Sequence, residues 1–174
     1  MNHSIHLSPG EMSRLVVQAA VNAHEQGYWH GSRSAADDAA AHLAHFLGLL
    51  AGGDDNVSRS ELAVVGEVLG AALGERPGDD ALRRSIDQSV RTADDPDALH
   101  DFLTATPAYL EAVVAMDRER GTHNARQVVT ALSGLGLAVL AADGRAEAEE
   151  DSIFTTHLGH LRRVVDALGP DEED

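Results

Sequence analysis

Phe46-Leu47-Gly48-Leu49-Leu50-Ala51-Gly52-Gly53-Asp54 and, 89 residues later, Leu135-Gly136-Leu137-Ala138-Val139-Leu140-Ala141-Ala142-Asp143 are apolar runs that each close on an aspartate. Seven residues after each aspartate stands a glutamate, Glu61 and Glu150. The match extends outward at the same offset. Leu43 pairs with Leu132, Val64 with Ile153, and Leu69-Gly70 with Leu158-Gly159. Identities are few, but they fall on the apolar stripe, the turn aspartate and the first turn of the next helix. The pattern predicts two related helical hairpins packed as a pseudo-repeat.

Helix signals recur outside the repeat. Ser8-Pro9-Gly10-Glu11 and Ser58-Arg59-Ser60-Glu61 read as capping boxes. Asp95-Pro96 and Thr106-Pro107 read as cap-plus-proline starts. Leu82, Ile86 and Val90 recur every four residues, the spacing of one helical face. Gly52-Gly53, Gly74, Gly121, Gly144 and Gly169-Pro170 read as stops or turns. Alternating β-branched strand patterns are nearly absent. The expectation is an all-α protein of about eight helices in a compact bundle. A single helical domain is expected over residues 1–170, with 171–174 as a disordered acidic tail.

The chain has 174 residues, 29 of them acidic and 13 basic, for a formal charge of −16. All the basic residues are arginines. A surface this acidic argues against nucleic-acid binding and against attraction to anionic lipid. The absence of cysteine excludes disulfides and thiolate metal sites. The absence of lysine excludes a phosphate-loop lysine and a Schiff base. No apolar run reaches the ~18 residues of a membrane span, and residues 1–10 lack a signal-peptide pattern. A cytoplasmic protein without direct membrane insertion is expected. Aromatics are 3% of the chain, so the core must be aliphatic.

Two readings fit the acidic residues of the repeat. Asp54 and Asp143 sit at helix ends and Glu61 in a capping box, so capping alone accounts for them. Alternatively, Asp54, Glu61, Asp143 and Glu150 form one shared site for a hard divalent cation of the Ca or Mg type, which prefers oxygen ligands. Neither loop has the ligand register of an EF-hand.

Leu137-Ala138-Val139-Leu140-Ala141-Ala142-Asp143-Gly144 followed by Glu149 and Glu150 resembles the TerB-like tellurite-resistance domains. Leu49-Leu50-Ala51-Gly52-Gly53-Asp54-Asp55 followed by Ser58 and Glu61 is a weaker copy, with Asp55 in place of the expected glycine. The resemblance covers about residues 10–169. It implies an all-α fold of two hairpins and a non-enzymatic acidic module in a stress-response assembly. It also implies a protein partner and a metal site at Asp54, Glu61, Asp143 and Glu150. Such domains also occur fused to other modules, so a structural domain of a larger ATPase or regulator is a further alternative.

The chain holds ten histidines, and two pairs stand three apart on predicted helices, His42/His45 and His157/His160. That spacing puts both imidazoles of a pair on one face. Ordinary surface or half-buried helix histidines are one reading. A histidine-based metal-binding or metalloenzyme bundle is another, and it requires the two pairs to converge in space. A third is pH sensing by charge. His157 falls at the repeat position of Val68, which argues against a histidine site common to both hairpins. Tyr28-Trp29-His30 is the one aromatic cluster, either an anchor on the core or a partner patch. Asp97, His100 and Asp101 suggest a surface ion pair. Arg162-Arg163 suggests a complement to the last helix's dipole.

Overall fold

Serines start the first helices. Ser8 Oγ accepts the backbone N–H of Glu11, and the Glu11 carboxylate accepts that of Ser8. Ser58 and Glu61 repeat the arrangement, and Ser34 Oγ accepts from Asp37 N. Each supplies an acceptor to an otherwise orphaned N–H of the first turn. The computed structural model describes residues 7–52, 57–142, 144 and 148–168. In chain order the helices are α1 (Pro9–Glu25), α2 (Ala35–Ala51), α3 (Arg59–Leu73), α4 (Asp79–Ala93), α5 (Pro96–Thr104), α6 (Ala108–Arg120), α7 (Asn124–Leu140) and α8 (Ala148–Asp166). No strand occurs among the described residues. Asp54, Asp143 and the tail 171–174 lie outside the described residues.

The repeat reappears in the helix boundaries. α2 and α7 begin and end at positions 89 residues apart, and so do the starts of α3 and α8. Leu43 and Leu132, Phe46 and Leu135, Leu50 and Val139, and Leu69 and Leu158 are buried in both copies. Glu61 and Glu150 are also both buried, at 4% and 3% exposure. α2 packs against α1, α3, α4, α6, α7 and α8, and Phe46 to Ala51 is buried on all sides. A helix that is apolar all round must lie inside the molecule. The core is built of Leu, Val and Ala, with Phe46 and Tyr109 among its largest fully buried side chains.

Two helix starts depart from the sequence reading. Thr106 does not cap α6. The cap position is Pro107, which has no side chain to accept, and Asp38 Oδ2 from α2 accepts Tyr109 N at 3.1 Å instead. Likewise α7 has no cap from His123. Asp117 of α6, buried, accepts from Ala125 N, Thr122 Oγ1 and Asn124 Nδ2 at 2.7, 2.6 and 2.9 Å. Both starts are capped by an aspartate from another helix. Trp29 is half-buried against the core and donates Nε1–H to Arg33 O at 2.8 Å, the anchor of the two readings.

Close crossings use glycine. A Cβ on Gly48 would lie 2.5 Å from Ser89 Oγ and 2.9 Å from its Cβ, so α2 meets α4 at a distance only hydrogen allows. Gly48→Ala is therefore expected to destabilise by about 1–3 kcal/mol through overpacking. That lowers the melting midpoint by several degrees in a chain of this size, measured by circular dichroism. Gly78→Ala, in open space at the start of α4, is the control.

Candidate functional site

α2 presents His42 and His45, and α8 presents His157 and His160, on faces that α5 and α6 help to cover. The structure brings one member of each pair together. His42 Nε2 lies 2.9 Å from His157 Nε2, with both side chains buried. The outer nitrogens are tied as well. His42 Nδ1 is 3.0 Å from Tyr109 Oη, and His157 Nδ1 is 3.2 Å from the Leu103 carbonyl at the end of α5. The second members stand apart from this contact. His45 is half-buried and meets the Phe102 ring edge-on at 4.4 Å, and His160 Nε2 is 3.1 Å from Thr106 Oγ1.

The partners determine the protons. A carbonyl only accepts, so His157 Nδ1 carries hydrogen and donates to Leu103 O. A neutral His157 then accepts at Nε2, and His42 Nε2 donates to it. That leaves His42 Nδ1 to accept from the Tyr109 hydroxyl. The result is a directed chain from Tyr109 through His42 and His157 to Leu103, in which every nitrogen has a partner. Phe46 and Phe102 frame it. Phe46 stacks parallel to His42 at 6.1 Å between centroids, and Phe102 stacks on His157 at 4.9 Å.

The environment holds the chain neutral. Burial lowers the His42 pKa well below the usual histidine value, and the neighbouring His157 and His45 lower it further. Burial also lowers His157, to about 4, partly opposed by its bond to Leu103. His45 and His160 are lowered, chiefly by burial. Burial, and then the charge of Asp38, raises the Tyr109 hydroxyl above its ordinary range and keeps it a donor. One face of the chain borders a cavity of about 250 Å³, lined by Arg33, Asp38, His42, His45, Phe102 and His157 among others. Arg33 Nη2 pairs with Asp38 Oδ1 at 2.7 Å at its rim.

Of the acidic candidates, Glu61 takes part in the α3 capping box, which is the capping reading, and Glu150 occupies the same register in α8. Asp54 and Asp143 lie outside the described residues. Among the described residues, no three His, Cys, Asp or Glu side chains stand close enough to hold a metal ion as they lie. Asp97, His100 and Asp101 are all exposed on α5. Val68, the repeat counterpart of His157, is core. The sequence reading missed Tyr109, Asp38 and the Leu103 carbonyl. No local pattern marks them, since each joins the site through packing between distant helices.

Scans against protein-family models, curated proteins and solved structures find no match to this chain.

The buried pair makes the fold acid-sensitive. In the unfolded chain both histidines take up protons below about pH 6.5, whereas in the fold they stay neutral to a lower pH. The unfolded state thus binds more protons below pH 6.5, and stability falls with pH through that window until the folded groups titrate. With His157 at about 4, it alone accounts for a loss of about 2 kcal/mol between pH 7 and pH 5. Urea unfolding in chelator-containing buffer should show this loss, and His157→Gln should reduce the slope. An unchanged slope in that variant would assign the acid sensitivity to other groups.

Proposed function

We propose that this chain is a non-enzymatic, acidic helical binding module of the TerB-like kind. It acts as a metal-responsive adaptor for a protein partner in a stress-response assembly. The observation that carries the reading is the coincidence of the two hairpins. α2–α3 and α7–α8 share boundaries at one offset, and each buries a glutamate in the first turn of its second helix. Burying a carboxylate is unfavourable unless a donor or a cation compensates it. The same device at the same register in both halves is what a site shared between two related hairpins requires.

In this reading Asp54, Glu61, Asp143 and Glu150 supply oxygen ligands to a hard divalent cation of the Ca or Mg type. The capping box is compatible with it, because a carboxylate has lone pairs beyond the one that accepts Ser58 N–H. A net charge of −16 favours cations and basic partner surfaces through long-range attraction.

Thermal unfolding with chelator, and then with Ca²⁺, Mg²⁺ or Mn²⁺ added singly, tests this. An ion bound only by the folded chain, at about 100 times its dissociation constant, adds about 2.7 kcal/mol. The midpoint should rise by several degrees. Asp143→Asn combined with Glu150→Gln should abolish the rise while leaving helicity nearly intact. No rise with any of these ions removes the carboxylate site. Loss of helicity in the double variant supports capping as the whole role of these residues.

A further inference from the structure

His42 and His157 do not belong to the carboxylate reading, and their contact stands independently of it. We propose that this contact is an acid-operated latch. Neutral, it holds α8 on the bundle; protonated, it releases α8 while α2 and the helices around it stay folded.

Of the two helices that the contact joins, α8 is the less anchored. α2 packs against six helices, whereas α8 docks chiefly on α7, α5 and α2. Its polar ties run largely through histidine. His157 meets His42 Nε2 and the Leu103 carbonyl, and His160 Nε2 lies 3.1 Å from Thr106 Oγ1. The tie from Arg162 to Ser133, at 3.2 Å, is exposed. Its apolar stripe is Ile153, Leu158, Leu161 and Val165, with Phe154 seated over Gly136 of α7. An element with few neighbours opens at a lower free energy than the centre of the core.

The closed contact has no place for added protons. A first proton goes to His42 Nδ1, and the Tyr109 hydroxyl must turn from donor to acceptor. A second, on His157 Nε2, sets two N–H groups face to face across 2.9 Å. Neither charge meets a carboxylate free to answer it. Asp38, which lines the neighbouring cavity, already accepts from Arg33 Nη2 and from Tyr109 N. His45 of α2 and His160 of α8 add positive charge of their own as they titrate. On α5, Asp97, His100 and Asp101 are exposed, and the side chain stacked on the pair is Phe102. On α6, Glu111 is exposed and Asp117 is committed to the start of α7. α7 carries no acid, and the acids Glu149 to Asp151 of α8 lie in its first turn, about two turns before His157.

Opening α8 returns both rings to water, where they take up protons below about pH 6.5. In the closed form burial lowers His157 to about 4 and holds His42 well below its ordinary value. The open form therefore binds more protons below pH 6.5, and acid favours it. Between pH 8 and pH 5 each ring raises the opening constant about thirtyfold, and the two together about a thousandfold. Release uncovers the apolar stripe of α8 and the faces of α2 and α7 beneath it, surfaces that the neutral form keeps covered.

The test is hydrogen exchange of backbone amides in the full chain, in chelator-containing buffer from pH 8 to pH 5, corrected for the intrinsic exchange rate at each pH. The amides of Leu158 and Leu161 should be less protected than those of Leu47 and Leu50 in α2 throughout, because α8 opens before the whole fold does. The α8 opening constant should rise about a thousandfold over this range. His157→Gln should cut the rise to about thirtyfold. His100→Gln, on the exposed face of α5, should leave it unchanged. Nitrogen-detected NMR should show both buried rings gaining protons over the range in which α8 loses protection. Equal protection in α8 and α2 at every pH overturns the proposal, because α8 then opens only with the whole chain. So does α8 opening that is independent of pH, or a rise in His157→Gln as large as in the natural chain. Exchange and NMR on the unsubstituted chain decide the matter even if a variant fails to fold.

Discussion

Everything in this fold is arranged around the burial of one segment, Phe46 to Ala51 of α2. Six consecutive side positions with no exposed face cannot be covered by one or two neighbours. A helix offers a single stripe to each partner, so α1, α3, α4, α6, α7 and α8 all close on α2. α7 repeats the pattern from the second hairpin with Leu135, Gly136, Val139 and Leu140. Few of the side chains involved are large. The scarcity of aromatics forces close helix approach instead, and glycine at Gly48 and Gly136 makes room for Ser89 and Phe154. Dense packing of small residues replaces ring volume as the source of contact.

Polar groups drawn into this core are satisfied by distant partners. Asp38 and Asp117 cap helices α6 and α7 from outside those helices, so the caps also tie helix to helix. Ser13 of α1 donates to the Val68 carbonyl of α3 at 2.7 Å, and Gly10 N of α1 donates to Glu67 of the same helix. Such bonds add about 0.5–1.5 kcal/mol each, and more where the acceptor is a carboxylate, and leaving a buried partner unmade costs about 1–3 kcal/mol. Their effect is to fix how the helices dock. Surface charge contributes little by comparison. The Arg33–Asp38 and Arg76–Asp79 pairs each have a partner about half exposed, where screening leaves ion pairs weak.

The histidine chain follows the same logic. Tyr109, His42, His157 and Leu103 come from α6, α2, α8 and α5, and each nitrogen needs the others to be satisfied inside the core. The acidic features of the two hairpins and the neutral imidazoles at the α2–α8 contact are chemically distinct.

How much of this was legible in the sequence varies with the range of the interaction. Helix starts at Ser8, Ser58 and Asp95 depend on residues within three positions, and they stand where the sequence placed them. The start at Pro107 depends on Asp38, 71 residues from Tyr109, and the expected Thr106 cap is absent because Thr106 turns to His160. The spacing of His42/His45 and His157/His160 marked two faces, but nothing local says that only one member of each pair meets the other. The sequence by itself determined the all-helical class and the helix starts that are capped within three residues, because periodicity and capping are short-range. Only the tertiary structure decided which histidines touch, which hydroxyl and carbonyl hold them, and which aspartates cap at a distance. Those depend on how separate helices dock, and docking is set by the packing of the whole core at once.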